Sequence, residues 1–301
     1  MEDYPKTIIE FRDRFNSEEG CIKYLEQLRW PNGFICPYCK AEEFWRTEKI
    51  LIKCKNCRKR TSVTAGTIFH DTRKPIRLWF EAMWYITSQK YGTNALGLQR
   101  ILGLGSYNTA WKWLHRLRRV MVRPDREKLS GKVEVDETMI GGKSHGKRGR
   151  GSEKKVLVAI AVEDKKEGEK KEIGRIRLAV IPDASSKSLI SFISNNIEEG
   201  SHVRTDGWKG YSNVSANNYE HTVLNSNDLV ICHLVASLMK RWLMGTYQGA
   251  ARHQHLDFYL DEYTFRFNRR TSASRGKLFY RIVQQAVTTT PVKGMNIIGK
   301  N

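Results

Sequence analysis

Four cysteines constrain this chain more than any other feature: Cys36-Pro37-Tyr38-Cys39 and Cys54-Lys55-Asn56-Cys57, with fourteen residues between the pairs. Each Cys-x-x-Cys pair can aim two sulfurs at one point, and two such knuckles at this spacing supply the four thiolates of a tetrahedral zinc ribbon. The competing reading is two disulfides, which an oxidising compartment would allow and a reducing one would not. Zn2+ is thus the expected structural cofactor. Cys21, in a helical apolar pattern, and Cys232, in an apolar run, read as buried thiols outside the ribbon. Lys53, Lys55, Arg58, Lys59 and Arg60 crowd the second knuckle, forming either a platform for a polyanion or a solvated face.

Charge bears on that choice. Lys and Arg total 52 against 32 Asp and Glu, a formal net charge of +20 over 301 residues, while 40% hydrophobic content argues against general disorder. A folded, strongly basic chain points to a polyanionic partner. Nucleic acid, and first double-stranded DNA, is favoured because cations that neutralise phosphates release counterions; a membrane surface is the alternative. No apolar run approaches the roughly 20 residues of a spanning helix, and the first residues, Met1-Glu2-Asp3-Tyr4-Pro5-Lys6, lack a signal pattern. The expected location is cytoplasmic, with no membrane partner.

Residues 1–30 carry apolar positions at helical spacing, with Ser17-Glu18-Glu19 as a start signal, and 31–70 hold the ribbon. Residues 71–123 are helical. Asn94 can cap Ala95–Leu102, Gly103-Leu104-Gly105 can turn the chain, and Ser106 can cap Tyr107–Val120, an arrangement that reads as helix-turn-helix. The second helix carries Lys112, His115, Arg116, Arg118 and Arg119; Lys112, Arg116 and Arg119 are its candidate DNA contacts, and an amphipathic hairpin with a basic outer face is the alternative. Pro124–Lys132 reads as a linker. The glycine-rich loop after Gly141 adds Lys147, Arg148 and Arg150 as further candidate phosphate contacts.

Lys132–Thr138 reads as a half-buried strand with Val133, Val135 and Thr138 as its inward set, and Asp136 stands where that strand is expected to end. Ser201–Thr205 repeats the arrangement and ends at Asp206-Gly207. One such carboxylate is either a solvated strand end or a ligand; two suggest a Mg2+ site, because hard divalent ions take oxygen ligands and phosphoryl-transfer enzymes hold ions between carboxylates. Val156–Glu163 and Gly174–Pro182 complete a three-stranded meander, Ser185–Ile197 is helical, and Tyr219–Leu224 is another strand.

This β-β-β-α-β order resembles the ribonuclease H-like fold of polynucleotidyl transferases, in which the two aspartate strands are neighbours. The motifs Val133-Glu134-Val135-Asp136-Glu137-Thr138, Thr205-Asp206-Gly207-Trp208-Lys209-Gly210-Tyr211, Leu238–Thr246 and Tyr259–Arg270 are similar to those of insertion-sequence transposases of the ISXO type, Asp-Asp-Glu superfamily, across nearly the whole chain. The resemblance implies an α/β chain: a ribonuclease H-like catalytic domain at 131–272, preceded by the zinc ribbon and the helix-turn-helix-like region, and followed by a C-terminal tail at 273–301. It implies metal-dependent cleavage and transfer of DNA strands at transposon ends, with Mg2+ or Mn2+ as catalytic cofactor, Lys240 as a catalytic residue, Lys240 and Arg241 on DNA, and a homodimer or larger assembly. In many relatives a glutamate stands seven residues before the position of Lys240; here that slot holds His233. His233 is then the third expected metal ligand, its nitrogen better suited to Mn2+ than to Mg2+. An inactive transposon-derived DNA-binding protein and a ribonuclease H-like nuclease are the alternative readings.

Overall fold

The computed structural model describes residues 2–48, 51–123, 125–141, 155–165, 172–249 and 251–291. Two compact units emerge, Met1–Arg123 with Ser272–Asn301, and Pro124–Thr271.

In the first unit, α1 (Ile8–Arg14) and α2 (Glu18–Arg29) are each opened by a hydroxyl, Thr7 accepting from the Glu10 N–H and Ser17 from the Gly20 N–H. The ribbon follows as an antiparallel sheet of β1 (Phe44–Glu48), β2 (Leu51–Cys54) and β3 (Arg60–Ser62). Next come α3 (Ile76–Ser88), α4 (Ala95–Leu102) and α5 (Tyr107–Arg119). Asn94 caps α4 as anticipated, accepting from the Gly97 N–H at 2.8 Å, and Gly103 leaves that helix in the left-handed region at φ 60°. Pro75 offers α3 no side-chain cap; instead the Glu18 carboxylate accepts the N–H groups of Ile76 and Arg77 at 2.7 and 3.0 Å.

The C-terminal stretch expected as a tail contains α9 (Arg275–Ala286), which packs on α3 and α2 within the first unit. The cause is an overlooked helical stripe: Leu278, Phe279, Ile282, Val283 and Ala286 recur at helical spacing and are all buried. The Phe279 ring lies 5.3, 5.5 and 5.7 Å from those of Phe11, Phe80 and Trp84. Gly276 is required there, since a Cβ would meet the Pro5 carbonyl oxygen at 1.6 Å.

The second unit is a five-stranded mixed sheet in the order β6-β5-β4-β7-β8. β4 (Lys132–Ile140), β5 (Val156–Asp164) and β6 (Ile173–Ile181) form the antiparallel meander. α6 (Ser186–Asn196) then carries the chain across one face, so that β7 (His202–Thr205) runs parallel to β4 and β8 (Glu220–Val223) parallel to β7. α7 (Val230–Tyr247) and α8 (Leu256–Phe267) cover the other face. Period-two alternation divides the strands between two cores. Val133, Val135, Ala159, Ala161 and Val203 pack with Leu189, Phe192 and Ile193 of α6, whereas Val158, Ile160 and Val162 pack under α7 and α8. Residues 125–131, read as a linker, are knit into this unit because Leu129 is fully buried and exchanges backbone hydrogen bonds with Asn196 and Glu198 at 2.8 Å each.

Candidate active site and metal centre

The ribbon brings its cysteines to one point. Their four sulfur atoms lie within 4.8 Å of one another, with Cys36 to Cys57 at 3.6 Å and Cys39 to Cys54 at 3.5 Å. Disulfide sulfurs would be about 2.0 Å apart, whereas four thiolates about 2.3 Å from a zinc ion stand roughly 3.8 Å from each other. The knuckles are built alike: Lys40 and Arg58, each one residue past a pair, adopt φ 63° and 59° and return their N–H groups to the Cys36 and Cys54 carbonyls. The backbone N–H of Ala41 brings the Cys39 thiol down to about 6, favouring the thiolate a metal needs. Cys21 and Cys232 are buried elsewhere, as anticipated.

On the sheet, alternation decides which groups meet. With Val133 and Val135 turned to α6, Glu134, Asp136 and Thr138 face α7. Thr138 therefore shares the face of Asp136, and the strand does not stop at Asp136 but continues to Ile140 against β5. What stops is the pairing with β7, which spans only Lys132–Glu134, leaving the β7 side of Asp136 open. β7 ends at Thr205, and Asp206 stands in the turn just past it, near enough for its charge to act on Asp136. The Trp208 N–H donates to Asp206 Oδ1 at 3.0 Å, and the Trp208 indole donates to the Ala184 carbonyl at 2.8 Å, fixing the turn that carries Asp206.

α7 supplies the remaining groups. His233 Nε2 lies 3.3 Å from Asp136 Oδ2, and Lys240 Nζ donates to Thr138 Oγ1 at 2.6 Å, so both helical residues face the central strand. Burial pushes the Asp136 carboxyl up to about 6; the charges of Glu137 and Asp206 add to that, while the Glu137 N–H and His233 oppose it. Asp136, Asp206 and His233 thus share a face, but they do not close into one cage: among the described residues only the four cysteines form a group of three or more ligand atoms within 4.8 Å. Asp228, the carboxylate nearest the His233 slot in sequence, is exposed. Glu262 is structural, bonded to Arg266 at 2.8 Å and to the Tyr247 hydroxyl at 2.9 Å.

Sequence reasoning overlooked two carboxylates. Glu137 turns to the opposite side of the strand, where it accepts from the Tyr211 hydroxyl at 2.7 Å. Glu134 accepts the N–H groups of Ile231 and Cys232 at 3.0 Å each. No local signal announces either contact, since the partners lie more than seventy residues away.

On α5, Lys112 and Arg116 are half-buried and Arg119 is exposed, all on one face. His115 and Arg118 do not join them. Both are buried, 3.4 Å apart through Nε2 and Nη1, because the inner stripe that holds Ala110, Trp113, Leu114 and Leu117 takes them in. Tyr107 and Asn108, exposed at the start of α5, were not singled out by charge counting. Arg241 is exposed beside Lys240, and Lys147, Arg148 and Arg150 lie outside the described residues.

Residues 128–268 match the ISXO2-like transposase domain and residues 16–60 the transposase zinc-ribbon domain. Both matched domains are those of insertion-sequence transposases. The chain is also 28% identical over 260 residues to an uncharacterized protein in transposable element ISH50 of Halobacterium salinarum, covering 76% of this chain and 84% of that one. Among the described residues, no helix is long and apolar enough to cross a membrane.

Proposed function

We propose that this chain binds the ends of its insertion sequence and cuts and joins DNA strands with Mg2+ or Mn2+ at a ribonuclease H-like site. The observation that carries the reading is that Asp136, on β4, feels the charge of Asp206, just past the end of the adjacent parallel strand β7, with His233 against Asp136. The strand order, with three antiparallel strands followed by two parallel ones, supports the ribonuclease H-like assignment.

The donor set fits a divalent cation: two carboxylates, one of them desolvated enough to be short of positive charge, plus one imidazole. Such an ion supplies charge neutralisation and an activated oxygen nucleophile. Asp136 and Asp206 would hold it, His233 would complete the set, and Lys240, steadied by Thr138, would face a strand phosphate together with Arg241. In cleavage, water oxygen bonds to phosphorus as the P–O bond to the leaving 3′ oxygen breaks; in joining, the freed 3′ hydroxyl attacks a target phosphate in the same way. Lys112, Arg116 and Arg119, together with Lys147, Arg148 and Arg150, would contact the duplex. Tyr107 and Asn108 would extend the α5 surface where a recognition helix meets base edges. Two ends handled together call for at least a homodimer, acting in the cytoplasm.

The test is a strand cleavage and joining assay on a labelled duplex bearing the element's end. Wild-type chain should cut and join in Mg2+ or Mn2+, whereas Asp136→Ala and Asp206→Ala should bind the duplex and do neither. One observation favours the inactive DNA-binding reading: His233 pairs with Asp136 instead of the three groups closing around one point. Wild-type chain that binds the duplex but never cuts it would establish that reading, and cutting without joining would indicate a nuclease.

A further inference from the structure

Glu134 stands two residues before Asp136 and is 3% exposed, a costly place for a carboxylate unless its partners offset the desolvation. One oxygen, Oε2, accepts the N–H groups of Ile231 and Cys232, the first turn of α7. The other, Oε1, lies 3.3 Å from Arg204 Nη2, which also bonds Asp164 at the end of β5. Leu229, at the N-cap position of α7, has no side chain able to accept these bonds. The helix therefore starts from the sheet, on an acceptor supplied by the strand that carries Asp136.

The register gives this contact its meaning. Glu134 and Arg204 are cross-strand partners; Asp136 is the next same-face residue of β4, and Asp206 follows Arg204 by two residues, just past the end of β7. His233 follows Cys232 directly and makes its own first helical bond to the Leu229 carbonyl at 3.1 Å. Fixing the Ile231 and Cys232 N–H groups on Glu134 fixes where the His233 backbone stands over β4, and α7 carries Lys240 to Thr138 from the same origin. We infer that Glu134, held by Arg204, is the positioning residue of the site, docking α7 so that His233 meets Asp136 and keeping the two aspartate strands in register. This rests on the catalytic reading above, although the docking itself can be measured without catalysis.

The experiment uses the full chain. Glu134→Gln keeps the shape and removes the charge; Glu134→Asp keeps the charge toward Arg204 but withdraws the reach to α7, and carries the same expectation should the glutamine variant not fold. Amide exchange at Ile231 and Cys232 should accelerate about tenfold or more while the amides of β5 stay protected, as loss of a charged acceptor implies. End cleavage should fall by a similar factor, and adding His233→Ala to Glu134→Gln should cause no further loss, because the first change has already undone what the second removes. Unchanged exchange would overturn the inference, as would losses that multiply in the double variant, the mark of a general stability effect. Wild-type chain inert toward end DNA in every divalent metal would defeat the catalytic reading alone, with amide exchange still deciding whether Glu134 docks α7.

Discussion

Asp136 costs the fold stability at neutral pH. Its folded pKa of about 6 stands above the ordinary carboxyl value of 3.8, so burial disfavours the ionised form. A carboxyl shifted in this direction adds stability below its unfolded pKa and withdraws it as the pH rises through the folded one. In buffer without Mg2+ or Mn2+, Asp136→Asn should therefore raise the melting temperature at pH 7, by on the order of 2 kcal/mol of stability, and the gain should shrink between pH 6 and 4. A gain equal at both ends of that range would show that desolvation of the carboxylate is not its origin. His233 makes a separate prediction: His233→Ala should lower cleavage more in Mg2+ than in Mn2+, and His233→Glu should raise the Mg2+ rate by restoring an oxygen donor. Equal activity of wild type and His233→Ala in both metals would remove His233 from the site. The strands around the two aspartates were legible because alternation and the Asp-Gly turn are local, although β4 runs on to Ile140 instead of ending at Asp136. Glu134 was not legible, for its side chain points inward to helix N–H groups 97 residues away, and nothing in Val133-Glu134-Val135 distinguishes that from solvent exposure.

Among the elements, the ribbon was the most legible, since Cys-x-x-Cys spacing nearly dictates the knuckle and four converging thiols leave little alternative to a metal. Metal analysis should find one zinc per chain, and Cys36→Ser with Cys54→Ser should remove it and unfold the ribbon, leaving its small core of Phe34 and Ile52 without support. Zinc retained by that double variant would exclude the four-thiolate site. Helix starts divide into two kinds. Thr7, Ser17 and Asn94 cap their own helices and can be read along the chain, whereas α3 and α7 take carboxylates from elsewhere, Glu18 and Glu134. The basic residues of α5 mislead for a related reason: a charged residue is ordinarily assigned to solvent, yet His115 and Arg118 are buried together on the inner stripe.

At the scale of the molecule, the net charge of +20 supports the proposed binding to DNA, and duplex binding by the full chain should weaken steeply with added salt. Which part would bind alone is a question of folding. Residues 1–123 do not make up their unit alone, for it includes α9, which is reached only after the whole second unit has been traversed. Leu278, Phe279, Ile282 and Val283 are buried at 3% or less in that helix. At roughly 1.5–3 kcal/mol each, their loss removes roughly 6–12 kcal/mol, comparable to the whole stability of a domain of about 5–15 kcal/mol. A fragment of residues 1–123 should therefore lack a cooperative thermal transition by tryptophan fluorescence, which reports on Trp79 stacked 3.8 Å from Trp113 and on Trp84 beside Phe279. A peptide of residues 272–291 added in trans should restore the transition. The zinc knuckles, held by their own metal, should survive in the fragment, so zinc content is expected to stay at one per chain while the helical part melts. Cooperative unfolding of the fragment at the temperature of the full chain would show that α9 is dispensable to the unit it completes.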